Sequence, residues 1–87
     1  MALSAARPNP ASGATSFVVS LPAAGNVDLA MYDLAGRRVA TLWRGPLLAG
    51  SRAFTWEPGR VASGVYFARL VVDGEVRSSR VTLKLAR

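Results

Sequence analysis

The 87-residue chain contains neither cysteine nor histidine. Their absence removes disulfides, thiolate and imidazole metal ligation, Cys/His nucleophile pairs and the commonest general base. Acid is scarce too: the only carboxylate side chains are Asp28, Asp33, Glu57, Asp73 and Glu75, scattered singly along the chain. A paired-carboxylate hydrolase needs two such groups held together, and several of these stand where turn chemistry accounts for them. The expectation is therefore a protein that is not an enzyme, with no catalytic, cofactor or metal site. Long apolar runs are also missing. No stretch approaches the roughly 18 to 20 residues that cross a bilayer, and "MALSAARPNP" lacks the continuous apolar core of a signal peptide. No membrane insertion is expected, and any export signal is expected to have been removed or to belong to a longer parent. Without cysteine the chain is indifferent to redox compartment.

Lysine is reduced to Lys84, so a net charge of +6 rests almost wholly on arginine. A basic chain raises nucleic acid as a partner. Arg37, Arg38, Arg44, Arg52, Arg60, Arg69, Arg77, Arg80 and Arg87 are nonetheless spread over several predicted strands and loops, with no basic cluster on one element and no interleaved stacking aromatics. The expectation is a solvated basic surface and no nucleic-acid partner.

Apolar residues make up 51% of the chain, enough to build one core in one domain. Their pattern has period two and no convincing helical stretch. Phe17, Val19 and Leu21 alternate with Ser16, Val18 and Ser20 before "PAAG". Val27, Leu29 and Met31 alternate with Asp28, Ala30 and Tyr32, and "DLAG" (33–36) turns the chain into "RRVATLW". There Val39 and Leu42 break alternation, which predicts a bulge between them or an apolar face on both sides. "SRAFTWE" puts Phe54 and Trp56 on one face. "GVYFARLVV" and "EVRSSRVTLKL" flank Asp73-Gly74, a two-residue type I′ hairpin signal. Along "SGVYFARL" the alternation predicts Tyr66, Ala68 and Leu70 inward and Val65, Phe67 and Arg69 outward. Val76 is out of phase with Val81, Leu83 and Leu85, and a second bulge is expected near Ser78-Ser79.

Short strands about ten residues apart, joined by Gly/Pro turns, predict an all-β fold, an immunoglobulin-like antiparallel β-sandwich of six to seven strands. A small barrel is the alternative. The predicted core is Phe17, Val19, Leu21, Val27, Leu29, Met31, Val39, Phe54, Trp56, Tyr66, Leu70, Val81 and Leu83. Residues 1–7 read as a linker remnant and residues 8–87 as the domain.

The succession "PNPASGATSFVVSLP", "GNVDLAMYDLAGRRVATLWRG", "LLAGSRAFTWE" and "ASGVYFARLVVDGEVRSSRVTLKL" resembles, across about residues 8–87, the type A C-terminal sorting domain of proteins exported by the bacterial type IX secretion system. The matching positions are Pro8-Asn9-Pro10, Leu21-Pro22, Val27, Leu29, Tyr32-Asp33, Gly36-Arg37, Val39, Leu42, Gly50, Trp56, Ser63-Gly64-Val65-Tyr66, Arg69, Leu70 and Lys84. The immunoglobulin-like domain of the flagellar hook-capping protein is similar as well. Members often carry an aromatic soon after Pro-Asn-Pro and more lysine near the terminus, where this chain has Ala11 and "LKLAR". The resemblance implies a domain at the C-terminus of a secreted cargo, folded in the periplasm in transit and read by the outer-membrane type IX machinery. It implies a final location at the cell surface or outside the cell.

Recognition would fall on the last hairpin and strand. Gly64 and Tyr66 begin that hairpin, although the expectation that ranks first for them is structural: Tyr66 packed in the core with its hydroxyl bonded to backbone, and Gly64 permitting the turn. An edge strand with unpaired backbone and outward Arg80, Thr82, Lys84 and Arg87 suits docking on another sheet. A monomer in isolation is expected. Two other classes of function compete: a structural assembly module of hook-cap or fibre type, and a carbohydrate-binding module stacking sugar on Trp43 or Trp56.

Overall fold

The computed structural model describes residues 1–85. Seven strands follow one another: β1 (Ala2–Leu3), β2 (Thr15–Leu21), β3 (Gly25–Asp33), β4 (Arg38–Leu47), β5 (Gly50–Trp56), β6 (Gly64–Val72) and β7 (Glu75–Leu83). They form two antiparallel sheets, β1-β2-β5 and β4-β3-β6-β7. This is the immunoglobulin-like sandwich rather than a closed barrel, with the chain crossing between sheets after β2, β4 and β5.

Turn chemistry fixes the hairpins. Asp33 organises the β3–β4 turn: its carboxylate accepts from the Ala35 and Arg37 amides and from Arg37 Nε, each at 2.9 Å, while Gly36 takes φ 82°. Asp73 (φ 49°) and Gly74 (φ 83°) join β6 to β7 in the two-residue loop expected of a type I′ turn. Leu48, 82% exposed, tops the short link by which β4 passes to β5 in the other sheet.

Alternation then dictates the core. Phe17, Met31, Trp56, Tyr66, Ala68, Val81 and Leu83 pack at one end of the sandwich, and Val19, Leu21, Val27, Leu29, Leu47, Phe54 and Leu70 at the other. Every predicted core residue is buried except Val39, which is half-buried against the first cluster. Ala6, Ala11, Thr15 and Leu47 are buried as well. Ala6, Ala11 and Thr15 are small, and Leu47 ends a strand whose shifted register breaks the alternation.

The irregular strand is β4. Its register against β3 shifts between Leu29 and Ala30 and again between Met31 and Tyr32, so Leu42 and Val39 are each left without a partner. The single bulge expected between them is a bulge at each, which lets both turn toward the core from a strand otherwise out of phase. No bulge occurs near Ser78-Ser79: β6 and β7 stay in one register from Gly64↔Leu83 to Val72↔Glu75. Val76 is out of phase because it faces outward, 41% exposed.

Residues 1–7 also differ from the linker expected of them. Ala2 and Leu3 pair with Ser20 and Val19, Arg7 bridges Ser16 through backbone bonds of 2.9 and 3.0 Å, and Ala6 is buried. The β2 edge offers unpaired backbone, and this short apolar segment satisfies it.

Candidate functional site

Gly64, Tyr66, Arg80, Thr82 and Lys84, singled out from sequence, converge on one corner, where β6 begins and β7 ends. Gly64 lies opposite Leu83, Val65 opposite Thr82, Tyr66 opposite Val81 and Phe67 opposite Arg80. Within this corner the roles divide sharply. Tyr66 is 7% exposed, its ring 5.3 Å from that of Trp56, and its hydroxyl donates to the Ala62 carbonyl at 2.7 Å. It is a core residue with a satisfied polar tip. Gly64 starts β6 at φ 155°, a backbone that side chains rarely adopt, although a Cβ there would meet nothing within 4 Å. Arg80 and Lys84 are exposed and Thr82 is half-buried. Arg87 lies outside the described residues.

β7 is an edge strand, as expected, but its terminal half does not present unpaired backbone. Asn9 and Ala11 close it. The Asn9 side chain donates from Nδ2 to the Arg80 carbonyl at 3.2 Å and accepts at Oδ1 from the Thr82 amide at 3.0 Å. Ala11 then adds a short parallel bridge, its amide donating to the Thr82 carbonyl and its carbonyl accepting from the Lys84 amide, both at 2.8 Å. The clasp is held from behind. Thr15, the buried polar residue of the core, donates from Oγ1 to the Pro8 carbonyl at 2.8 Å. Beyond the clasp, the Leu85 amide donates to Ser63 Oγ at 2.9 Å.

Thus "RPNP" does more than lead the chain into β2. Asn9 is the functional-looking residue that sequence reasoning missed. Its partners are 71 and 73 residues away, and no local pattern announces a contact of that range. Asparagine between two prolines was the available signal: a side chain with both donor and acceptor, on a backbone stiffened from either side.

The second feature is the outer face of the larger sheet. Across β4, β3, β6 and β7 the pairing produces rows Arg44–Asp28–Val71–Val76, Thr41–Ala30–Arg69–Ser78 and Arg38–Tyr32–Phe67–Arg80. Arg38 runs along this face, donating to both Asp28 carboxylate oxygens at 3.0 and 2.9 Å and to Thr41 Oγ1 at 3.2 Å. Ala30, outward by phase yet 1% exposed, lies under that path. Arg38 and Arg69 also stand 5.3 and 5.8 Å from the Tyr32 ring centroid. The hydrogen bond from Arg38, aided by the charges of Arg38, Arg44 and Arg69, holds the Asp28 carboxyl below its ordinary range against an opposing desolvation. Phe67, half-buried between Tyr32 and Arg80, is neither covered by a loop nor freely exposed.

Four of the arginines that looked dispersed in sequence, Arg38, Arg44, Arg69 and Arg80, are therefore gathered, with two aromatics, on one sheet face. The separate strands hid this. The outer face of β2-β5 is the opposite in character: Ser16, Val18 and Ser20 lie beside Thr55, Ala53 and Ser51, with hydroxyl pairs Ser16–Thr55 and Ser20–Ser51 at 3.0 Å.

The sugar-stacking candidates are engaged elsewhere. Trp56 is buried, and Trp43 is half-buried with Arg52 4.6 Å over its ring, Phe54 at 5.8 Å and its indole N–H donating to the Gly45 carbonyl at 3.3 Å. Among the described residues, no three His, Cys, Asp or Glu side chains gather as metal ligands.

No family model, curated protein or solved structure matches the chain.

Proposed function

We propose that this chain is a non-catalytic secretion and cell-surface sorting domain that directs an attached cargo through the type IX outer-membrane translocon. The observation that carries the reading is the clasp of Asn9 and Ala11 on β7. Two parts of the resemblance that are far apart in sequence, the Pro-Asn-Pro motif and the final strand, meet in one surface with Arg80 and Lys84 facing out. A receptor reading that surface would read a folded shape rather than a linear peptide. The core role of Tyr66 and the backbone role of Gly64 make them supports of this corner, while Arg80, Thr82 and Lys84 form its outer side. Cargo would be attached ahead of β1, and transit would run through the periplasm to the cell surface.

The test is a fusion of residues 1–87 behind a periplasmic reporter in a type IX-competent bacterium. Surface or medium localisation is the expected result, and retention of a folded reporter in the periplasm overturns the reading. Asn9→Ala in the same fusion is expected to reduce export if the clasped corner is what the machinery reads.

A structural assembly role is favoured by one different observation. β5 keeps a single uninterrupted register with β2 over residues 50–56 and contains no proline, whereas β4 is bulged twice and carries Pro46. Its outer side is the least protected long edge of the sandwich against strand addition. Filament or ring formation at micromolar concentration would support that role over sorting.

A further inference from the structure

We propose that the outer face of β4-β3-β6-β7 is a docking surface for an acidic, Asp/Glu-rich segment of a partner protein. The inference stands on the face itself and does not depend on the sorting role. Arg38, Arg44, Arg69 and Arg80 share the face with Asp28, its only carboxylate among the described residues. Asp28 is already engaged by Arg38, at 2.9 Å, and by Arg44, at 3.7 Å. Arg69 and Arg80 have no carboxylate within 4.0 Å among the described residues. Their charge is left for a partner to neutralise.

The chemistry of the face selects carboxylate. All four cations are arginine, whose planar, weakly hydrated fork takes carboxylates bidentately and is enriched with aromatics at protein interfaces. The Arg38–Asp28 pair displays that bidentate geometry within the face. Valines 65, 71 and 76 give the rim apolar area. Arg44, Arg69 and Arg80 run diagonally over the rows, with Cα separations of about 12 Å and about 8 Å from the standard strand and residue spacings. Carboxylates at alternate positions of an extended segment, about 7 Å apart, come close to the Arg69–Arg80 step of about 8 Å.

Single-stranded nucleic acid is the competing anion, and the aromatic geometry disfavours it. Base stacking needs an open ring face, whereas Tyr32 is flanked by Arg38 and Arg69 and Phe67 is half-buried between neighbouring strands. An acidic segment needs only the guanidinium edges.

The experiment titrates the isotopically labelled chain with poly-L-glutamate of about twenty residues, and separately with oligo-dT of about the same length, at low ionic strength. Expected are amide shifts concentrated on the rows holding Arg38, Arg44, Arg69 and Arg80, with tighter binding of polyglutamate than of oligo-dT. Arg69→Glu/Arg80→Glu should weaken polyglutamate binding by roughly tenfold or more, while Arg7→Glu/Arg60→Glu, an equal charge change on exposed residues elsewhere, changes it by less than about threefold. Arg69→Gln/Arg80→Gln serves as the milder pair if the Glu pair lowers the melting temperature. Equal weakening by the two pairs, shifts scattered over every arginine, or preference for oligo-dT would each overturn the proposal.

Discussion

Gly74, at φ 83° in the β6–β7 turn, has open space around a would-be Cβ, so its requirement is conformational and not steric. Gly74→Ala should cost about 1–2 kcal/mol, the price of a left-handed backbone for an L-residue, and a denaturant titration would show it as a lower midpoint with an unchanged slope. Asp28 carries a pH signature. Its carboxyl is held below the ordinary range in the folded chain, so its stabilisation is complete above about pH 4 and is lost as the pH falls through the lowered value. Asp33, held down first by the Arg37 amide, has the same sign. The melting temperature should be insensitive to these groups from pH 7 to about 5 and drop below about pH 4. In Asp28→Asn that acid-side drop should be smaller. A drop of the same size in both proteins would show that the Asp28–Arg38 pair contributes nothing measurable.

At the scale of elements, the clasp makes a sharper prediction than the core does. Asn9→Ala removes two exposed hydrogen bonds and should cost about 1–2 kcal/mol. Hydrogen exchange separates this from general loosening. The Thr82 amide, which donates to Asn9, should lose protection in the variant, whereas amides paired inside β3 and β6 should change only by the global destabilisation. The strands themselves were legible in sequence because alternation reports a face directly: residues 66, 68 and 70 point inward and 65, 67 and 69 outward, as read. Asp73-Gly74 was legible because few dipeptides tolerate two positive φ angles. Pairing between distant segments was not. Nothing near Asn9 specifies β7, and nothing near Arg44 specifies Arg69 or Arg80, so the clasp and the basic face appear only once the strand order is known. The expected bulge in β7 failed for a related reason: a valine out of phase is an ordinary outward residue, and apolar character alone does not demand burial.

For the molecule as a whole, the boundary of the folding unit lies further toward the N-terminus than composition suggested. Met1 and Leu3 pack on the core, Ala6 is buried, and Arg7 bridges β2. A chain of residues 8–87 should therefore melt below the full chain, by roughly 4–8 °C for each kcal/mol lost in a domain of this size. Equal melting temperatures would return residues 1–7 to the status of linker. Charge is organised at this scale too. One outer sheet face is arginine-rich and the other carries small hydroxyl and alkyl side chains, so the two sides of a thin molecule, 42 × 23 × 16 Å, present different surfaces to whatever surrounds it. A polarity of that kind gives a partner an orientation as well as a binding energy.

The bonds from Asn9 to Arg80 and Thr82 join positions near opposite ends of the chain. A polypeptide emerging from its N-terminus, from a ribosome or across a membrane, can assemble β2 to β6 while Asn9 still waits for its acceptor and donor. Contacts of such long range form late and slowly. The clasp thus makes the joined corner depend on β7 having been added to the sheet. A copy cut short before residue 80 would retain most of its apolar strands yet leave the Pro-Asn-Pro segment without the strand it closes on, and anything that recognises the joined corner would distinguish chains that carry all of β7 from chains that lack it.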